Sequence, residues 1–266
     1  MEVPKDYIET NRQTWNNKTD VHIASDFYDV QSFLGGKSTL NEIELGLLGN
    51  IKGKKILHLQ CHFGQDTMSF SRMGAKATGI DLSDKAIKRA KEFTEQLQLD
   101  TEFICCDIYE LPNHLHEKFD IVFTSYGTIG WLPDLNKWAK IVSHFLKPGG
   151  KFVFAEFHPV VWMFDDYFKE VYYNYFNVKP IIENYTGSYA ERDADIITNS
   201  VCWNHPTSEV LNALITNGLE LNSFDEYNYS PYNCFNETIE FKKNKFRIKH
   251  LEDKIPMVFA LVATKK

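Results

Sequence analysis

Two aspartates stand at the ends of short apolar segments, where carboxylates could bind a nucleoside. Asp81 closes the segment KATGID, and Asp107 follows the segment EFICC. If these segments are parallel strands, their carboxyl ends meet at one edge of a sheet, where ligands bind. We expect Asp81 to accept hydrogen bonds from ribose hydroxyls and Asp107 to accept from an adenine amine; helix capping is the alternative for Asp81. Leu82 and Ile108 join this predicted site, with Ile108 against the adenine ring.

The segment KILHLQCHFGQDT precedes these aspartates and holds the next candidates for ligand contact. It falls where a first strand would turn into a first helix, and a sharp turn there favours glycine. Gly64 is the one glycine of this segment. The side chains of Gln60 and His62 can each hydrogen-bond a carboxylate or an amine, and Cys61 lies between them. We therefore predict that these four residues belong to the same binding site.

The elements that must position these residues alternate between apolar strands and amphipathic helices. Parallel strands are predicted at Lys55–Gln60, Lys76–Ile80, Glu102–Cys106, Phe119–Thr124 and Lys151–Phe157. Helices are predicted at 64–73, 83–97 and 134–145, where apolar residues recur at helical spacing. Repeated strand–helix units of this kind are typical of a doubly wound α/β sheet. The last two strands, one after Gly218 and one in PMVFALVATK, are predicted to pair antiparallel, which gives seven strands.

Two segments stand outside this alternation and are rich in aromatic residues. Residues 1–50 precede the sheet, and residues 159–203 follow the fifth strand without clear periodicity. Exposed aromatic patches usually mark binding or interaction surfaces. We therefore expect the first segment to form a helical lid and the second to be an insertion that shapes a substrate pocket. Passive packing of the first segment and a dimer surface on the second are the alternatives, and we treat residues 1–266 as one domain.

The composition narrows the class of protein. The 266 residues carry a formal net charge of −7, so the chain is a poor partner for the phosphates of nucleic acid. Its five cysteines include no CxxC pair, which argues against a disulfide framework and a metal site. The N-terminus lacks an apolar signal region, and no segment approaches the roughly 20 apolar residues of a membrane helix. We therefore expect a cytoplasmic monomer or homodimer that acts on a small molecule, without nucleic-acid or membrane partners.

Five motifs, in this order, resemble those of the class I S-adenosylmethionine-dependent methyltransferase family. They are KILHLQCHFG, TGIDLS, CCDIYELP, FDIVFTSYG and LKPGG, and they cover about residues 54–158. The resemblance implies a Rossmann-like sheet of seven strands, mostly parallel with a terminal antiparallel strand. It also implies S-adenosylmethionine as the cofactor and methyl transfer to a small-molecule acceptor of unknown identity. More narrowly, LHLQCHFGQDT, the pair His158–Pro159 and HPTSEVLNAL look like those of a bacterial subgroup.

The first motif departs from the family pattern D-x-G-x-G-x-G. His58 stands at the acidic position, and Gln60 and His62 stand at the first two glycine positions. Only Gly64 matches the pattern. The side chains of residues 60 and 62 must therefore either point away from the ligand or touch it. The change affects the usual backbone cradle, whereas the two strand-end aspartates are retained.

The chemistry that the resemblance implies makes few demands on catalytic groups. Methyl transfer from a sulfonium needs alignment, exclusion of water and sometimes removal of a proton, so we expect neither a catalytic triad nor a cysteine nucleophile. Aromatic walls suit a sulfonium, and Tyr126 and Trp131 follow the fourth strand, where the methyl group should point. Ordinary packing under the following helix is the alternative for Trp131. Ser125, and Trp15 and Tyr28 of the predicted lid, complete the predicted cofactor site.

His158 and Tyr126 are the predicted catalytic residues. His158 follows the fifth strand, so it lies at the carboxyl edge of the sheet, and a histidine titrates near neutral pH, as a general base requires. A buried structural histidine is the alternative. Further candidates for a base are His62, Glu156 and His205.

Two other functions stay open on the sequence. A protein that binds S-adenosylmethionine or S-adenosylhomocysteine without catalysis would fit the altered first motif. A nicotinamide-dependent dehydrogenase would share the aspartate at the end of the second strand. The missing GxGxxG and the LKPGG turn argue against the dehydrogenase.

Overall fold

The structure is a computed structural model that describes residues 3–266, so the first two residues of the predicted lid and domain lie outside the described residues. The strands are β1 (Lys55–Leu59), β2 (Lys76–Asp81), β3 (Thr101–Cys105), β4 (Phe119–Ser125), β5 (Leu146–Phe157), β6 (Ile181–Thr186), β7 (Ile197–Cys202), β8 (Leu219–Tyr227), β9 (Thr238–Lys242), β10 (Lys245–Ile248) and β11 (Val258–Lys265). The α-helices are α1 (Tyr7–Ala24), α2 (Val30–Leu34), α3 (Glu42–Leu48), α4 (Gln65–Arg72), α5 (Asp84–Leu97), α6 (Leu135–Phe145) and α7 (Thr207–Thr216).

Seven of the strands form one sheet in the order β3-β2-β1-β4-β5-β11-β8. Strands β1 to β5 run parallel, and β11 pairs antiparallel with both β5 and β8. The predicted doubly wound sheet with a chain-terminal antiparallel strand is confirmed, and that strand lies between β5 and β8. The chain reverses its direction across the sheet between β1 and β4. A ligand cleft forms at the carboxyl ends of the strands at such a reversal.

Helices cover both faces of the sheet and bury its apolar side chains. On one face, α6 and α7 pack over a cluster that includes Trp138, Phe152 and Phe259, all fully buried. On the other face, Ile56 and Phe70 belong to a second buried cluster. Because the central strands are buried on both sides, they show the continuous apolar sequences typical of parallel sheets. This packing fixes the strand ends that carry the predicted site residues.

The predicted elements of the sheet agree with the structure to within two residues at each end, apart from the start of β5. That strand begins at Leu146, five residues before the predicted Lys151, because Leu146 already pairs with Phe119 of β4. Ser83 caps α5 as its sequence position indicates, since its hydroxyl accepts from the backbone N–H of Ala86.

Helix α1 lies across the cleft edge and connects two distant parts of the chain. The side-chain amide of Asn11 exchanges two 2.9 Å hydrogen bonds with the backbone of Val201 in β7. At the other side of the helix, Arg12 pairs with Asp84 at the start of α5. The N-terminal segment therefore spans from the insertion after β5 to the helix that follows β2. No helix within residues 3–266 is long and apolar enough to cross a bilayer.

Two hairpins were not predicted from the sequence. Strands β6 and β7 pair antiparallel inside the insertion 159–203, and β9 pairs with β10 between β8 and β11. The connection between β6 and β7 spans residues 187–196, so it lacks the two-residue turn that marks a hairpin in a sequence. Most residues of β9 are exposed, so no alternation of apolar and polar residues marked that strand.

Candidate functional site

A cavity of about 930 Å³ lies where the strands of the large sheet end, beneath α1 and the insertion. Its wall includes residues from β1, β2 and β4, from the loops that follow them and from both aromatic segments. The twelve residues predicted to bind a cofactor all line it; they are Trp15, Tyr28, Gln60, Cys61, His62, Gly64, Asp81, Leu82, Asp107, Ile108, Ser125 and Tyr126. The cavity therefore brings together residues that are up to 111 positions apart in the chain.

The loop between β1 and α4 adopts the backbone conformation of a glycine-rich turn although it holds one glycine. Gln60, His62 and Gly64 have φ angles of 56°, 52° and 78°. These alternate positions are those where the family pattern has its glycines. A left-handed conformation costs a non-glycine residue about 1–2 kcal/mol, and such strain concentrates at functional sites. At Gly64 a Cβ would lie 2.4 Å from ring carbons of Phe103, so this position tolerates only glycine.

Asp81 lies at the end of β2 and joins this loop to α5. One carboxylate oxygen accepts from the backbone N–H of His62 at 2.7 Å, and the other accepts from the backbone N–H of Ser83 at 2.8 Å. Burial raises the pKa of Asp81 to about 6. A carboxylate has about four acceptor positions, so each oxygen retains one lone pair for a ligand hydroxyl. The carboxylate both holds the loop and can bind a diol.

Asp107 follows β3 and keeps one oxygen available. Its Oδ1 accepts from the backbone N–H of Tyr109 at 3.0 Å, which caps a short 3-10 helix. Within residues 3–266 this is the one hydrogen bond to its carboxylate. Burial raises the pKa of the Asp107 carboxyl. The following Ile108 is buried and supplies an apolar surface beside it.

Two buried polar atoms in the loop after the carboxyl end of β1 have no hydrogen-bond partner in the described chain. The Nε2 of Gln60 donates to the carbonyl of Thr128 at 2.8 Å, and its Oε1 is unpaired. His62 shares a 2.9 Å hydrogen bond through Nε2 with Nδ1 of His22, whose Nε2 contacts Ser188 Oγ at 2.6 Å. The Nδ1 of His62 is unpaired, and burial lowers the pKa of His62 to about 3. Because both atoms belong to residues of the cavity wall, a polar ligand in the cavity could pair with them.

Cys61 supports the loop through its backbone. Its N–H donates to the carbonyl of Ile80 at 2.8 Å, and its carbonyl accepts from Gly64. The thiol packs in an apolar cluster with Phe103 and Met68, and burial raises its pKa well above the ordinary value. A neutral, buried thiol is inert, in keeping with the expectation that no cysteine nucleophile is present.

Tyr126 and Glu44 form a buried acidic pair at the end of β4. The phenol of Tyr126, a residue with φ of 40°, donates to Glu44 Oε2 at 3.1 Å. Burial, together with the nearby charge of Asp66, raises the pKa of Glu44 to about 7. Burial next to Glu44 raises the pKa of Tyr126 well above its ordinary value. Ser125 stands half-buried beside this pair.

His158 does not line the cavity. Its Nε2 lies 2.8 Å from a carboxylate oxygen of Glu226 on β8, and its Nδ1 accepts from the backbone N–H of Val160 at 3.2 Å. Burial lowers the pKa of His158. Both nitrogens are therefore engaged at the β8 side of the sheet, a placement that fits the structural role. The carboxylate of Glu156, another candidate base, accepts from the backbone N–H groups of Thr128 and Ile129 and holds the loop after β4.

Aromatic residues of the two outer segments meet over the cavity. Trp15 lies edge-on to His62 and Trp131, with ring centroids 5.1 and 5.2 Å apart. The hydroxyl of Tyr28 contacts that of Tyr189 in the insertion at 2.5 Å. The N-terminal segment and the insertion thus form one cover rather than two separate walls.

Sequence reasoning missed Lys18 and Glu44. Helix α1 carries a signal that could have revealed the first, because its buried positions are polar: Asn11, Thr14, Lys18 and His22 recur three or four residues apart. A helix face that buries polar groups needs hydrogen-bonding or charged partners. Glu44 gave a weaker signal, as the third helical position of a capping box that begins at Asn41.

The chain matches a family described as a methyltransferase domain over residues 50–221, more than half of its length. A ubiquinone biosynthesis O-methyltransferase of Coxiella burnetii is 29% identical over 136 residues, which are 50% of this chain and 57% of that protein. The chain thus spans little more than half the length of this curated relative. An uncharacterized protein of Haemophilus influenzae is 29% identical over 157 residues, which are 54% of this chain and 61% of that protein.

Solved structures share the fold at low identity. A geranyl diphosphate C-methyltransferase of Streptomyces coelicolor superposes with a TM-score of 0.63 at 15% identity, covering 99% of this chain and 100% of that one. An S-adenosylmethionine-dependent methyltransferase of Mesorhizobium loti gives a TM-score of 0.57 at 20% identity, covering 87% and 100%. The methyltransferase family suggested by the five sequence motifs is confirmed: the chain belongs to the family described as a methyltransferase domain, and it has the fold of solved S-adenosylmethionine-dependent methyltransferases.

Proposed function

We propose that this chain transfers a methyl group from S-adenosylmethionine to a small-molecule acceptor. The observation that carries the proposal is the pair of carboxylates, Asp81 and Asp107, at the ends of adjacent strands on the wall of one large cavity. Each retains free lone pairs toward a ligand that offers a ribose diol and an adenine amine. The family membership and the class I fold support the same activity.

The residues present fit the cofactor at its methionyl end as well. The unpaired Oε1 of Gln60 can accept from an ammonium, and the unpaired Nδ1 of His62 can exchange a hydrogen bond with an amine or a carboxylate. These side chains would add polar contacts to a loop that keeps the backbone conformation of a glycine-rich turn. When bound, the cofactor supplies a methyl group on an electrophilic sulfonium.

The volume of the cavity is that of a large site for one small molecule, and the acceptor is proposed to bind in the same cavity as the cofactor. Sites for one small molecule occupy about 300–1,000 Å³, and this cavity lies near the upper end at about 930 Å³. We propose that the aromatic cover formed by Trp15, Tyr28 and Tyr189 limits the access of water to this space, which suits alkylation chemistry. We infer that the segment of about residues 12–34 acts as the lid of one domain that spans the chain.

Tyr126 and Glu44 are the residues best placed to take a proton from the acceptor. The proton that the acceptor's oxygen or nitrogen loses on methylation would pass to the phenol oxygen of Tyr126, while the phenol proton passes to Glu44. The bound cofactor would supply the methyl group by cleavage of its carbon–sulfur bond and would leave as the neutral thioether. A carboxylate with a pKa of about 7 is matched to this task. The engaged nitrogens of His158 favour Tyr126 over His158 as the catalytic residue.

The acceptor is proposed to be a small molecule rather than a nucleic acid, because the chain has a net charge of −7. The five unpaired cysteines support a reducing, cytoplasmic location. The bacterial subgroup suggested by LHLQCHFGQDT stays a prediction.

Thermal melting with S-adenosylhomocysteine and with NAD tests the proposed cofactor. We expect stabilisation by the first compound alone, and we expect Asp81→Ala to abolish most of it while Asp100→Ala, a matched exposed aspartate, leaves it intact. Stabilisation by NAD alone would instead support a dehydrogenase. Labelled methyl transfer to a panel of metabolites then tests catalysis, and binding without transfer would leave a non-catalytic binding protein.

A further inference from the structure

Lys18 stands out among the basic residues on the cavity wall. Its side chain, on α1, is buried with 8% of its surface exposed. The other lysine and arginine of the wall, within residues 3–266, are exposed and already engaged. Lys37 pairs with Asp29 at 2.9 Å, and Arg192 donates to the carbonyl of Phe235 at 3.0 Å.

Aromatic rings surround the ammonium of Lys18. Its Nζ lies 5.1 Å from the ring centroid of Trp15, 5.5 Å from that of Trp131 and 5.9 Å from that of Tyr189. No carboxylate and no hydrogen-bond acceptor pairs with Nζ in the part of the chain that the structure describes. Cation–π attraction offsets part of the lost hydration, and burial lowers the pKa of Lys18. A buried ammonium without a counter-charge is costly, and an anion bound beside it would offset that cost.

The electrostatic setting is specific to this corner of the cavity. The wall elsewhere carries carboxylates, including Asp66, Asp81 and Asp107. The two histidines nearest to Lys18, His22 and His62, are neutral because burial lowers their pKa. An anion would be repelled from the rest of the wall and attracted to the corner where the two aromatic segments meet.

We propose that Lys18 binds an anionic oxygen group, a carboxylate or a phosphate, of a small molecule held in the cavity. The inference rests on the proposed function for the identity of that molecule. Two sources share this chemistry: the methionyl carboxylate of the cofactor and an acidic group on the acceptor. Trp15, one helical turn before Lys18, fixes the ammonium in place in either case.

Calorimetric titration of the wild type and of Lys18→Met separates the two sources. S-adenosylhomocysteine carries the methionyl carboxylate, whereas 5′-methylthioadenosine has the same nucleoside thioether without it. If the cofactor supplies the anion, Lys18→Met weakens the binding of S-adenosylhomocysteine about 10- to 100-fold, the size of a lost charge-assisted hydrogen bond. The affinity for 5′-methylthioadenosine stays unchanged. Lys88→Met, which removes an exposed lysine from α5, is the matched control.

Inorganic phosphate and acetate test the acceptor as the source. If the acceptor supplies the anion, both nucleosides bind alike to wild type and Lys18→Met, and the variant alone loses binding of phosphate or acetate in the presence of S-adenosylhomocysteine. Equal affinities of wild type and variant for S-adenosylhomocysteine, phosphate and acetate would overturn the proposal. A wild type that binds neither nucleoside contradicts the proposed function, and titration of the two anions into the free protein still tests Lys18.

The melting temperature of the free protein provides a second readout. Lys18→Met removes a buried charge without a partner, so the free variant should melt at the same temperature as the wild type or higher. The increment produced by the anionic ligand should shrink in the variant. A free variant that melts well below both the wild type and Lys88→Met would mean that the ammonium is already paired in the free protein, which contradicts the proposal.

Discussion

Glu44→Gln should remove a pH dependence from the stability of this protein. Glu44 is fully buried in α3, where its Oε1 accepts from the backbone N–H of Asn41 at 3.2 Å and its Oε2 accepts from the phenol of Tyr126 at 3.1 Å. Glutamine has nearly the same shape, and its carbonyl serves equally well in a capping box. Its amide can donate to the phenol oxygen, so the substitution removes the charge and keeps the contacts.

The pKa of Glu44 gives the size and the sign of the effect. The pKa rises from 4.5 to about 7 on folding, and each unit corresponds to about 1.4 kcal/mol. The folded state therefore binds the proton more tightly than the unfolded state does. The stabilising contribution is complete below about pH 4.5 and is lost as the pH rises to about 7. The wild type should lose about 3 kcal/mol of unfolding free energy across this window because of Glu44, as an upper value.

Urea unfolding of both proteins at about pH 5 and about pH 8 measures this loss. We expect the variant to be the more stable protein at the higher pH, with a gap that narrows toward the lower pH. Glu42→Gln, in the same helix but with 85% of its side chain exposed, is the control and should follow the wild type. If the wild type and Glu44→Gln show the same dependence on pH, the buried carboxyl does not titrate as argued. The variant should also lose methyl transfer if Glu44 receives the acceptor's proton.

Four further predictions concern the cofactor site and the proposed lid. In calorimetry, Asp81→Ala should weaken the binding of S-adenosylhomocysteine by about one to two decades, the value of a lost charge-assisted hydrogen bond. Asp107→Ala should weaken this binding less, because the apolar contact to adenine survives. The reverse order of the two effects would contradict the assigned roles. Gly64→Ala should lower the unfolding free energy by about 2–5 kcal/mol in urea, through left-handed strain and overlap with Phe103, and an unchanged midpoint would show that the loop can relax. Hydrogen exchange should slow in residues of about 12–34 when S-adenosylhomocysteine binds; protection limited to the strand-end loops would mean that this segment packs passively.

The regular elements were predictable because each carries its own local signal. The strand β2 and the helix α5 follow from an apolar run, a serine cap at Ser83 and apolar residues at helical spacing. The order of such units fixes a parallel sheet, and the sheet places Asp81 and Asp107 at one edge. The identity of the cofactor came from the resemblance to a family, because the spacing of residues alone does not identify a ligand.

Other features of the site have no local signal. The left-handed conformations of Gln60 and His62 could be suspected only from the family pattern, because isolated glutamine and histidine residues rarely adopt them. The engagement of His158 by Glu226 depends on the pairing of β8 with β11, and its sequence position after β5 favoured a catalytic role instead. The position of a histidine in the chain indicates which edge of the sheet it lies near. Its hydrogen bonds in the folded protein determine whether it can act as a base.

The sequence by itself determined the doubly wound sheet and the two aspartates at the ends of its strands, and therefore the edge of the sheet where a ligand binds. It could do so because hydrophobic periodicity and helix caps depend on only a few neighbouring residues. Only the tertiary structure decided what closes that edge. The cover depends on contacts such as Asn11 with Val201 and Tyr28 with Tyr189, which join residues 190 and 161 positions apart. Such contacts arise from the packing of two irregular segments against a finished sheet, so no local pattern encodes them. The same packing buries Lys18 in the cavity wall and Glu44 against Tyr126 of that wall, and burial shifts the pKa of both side chains.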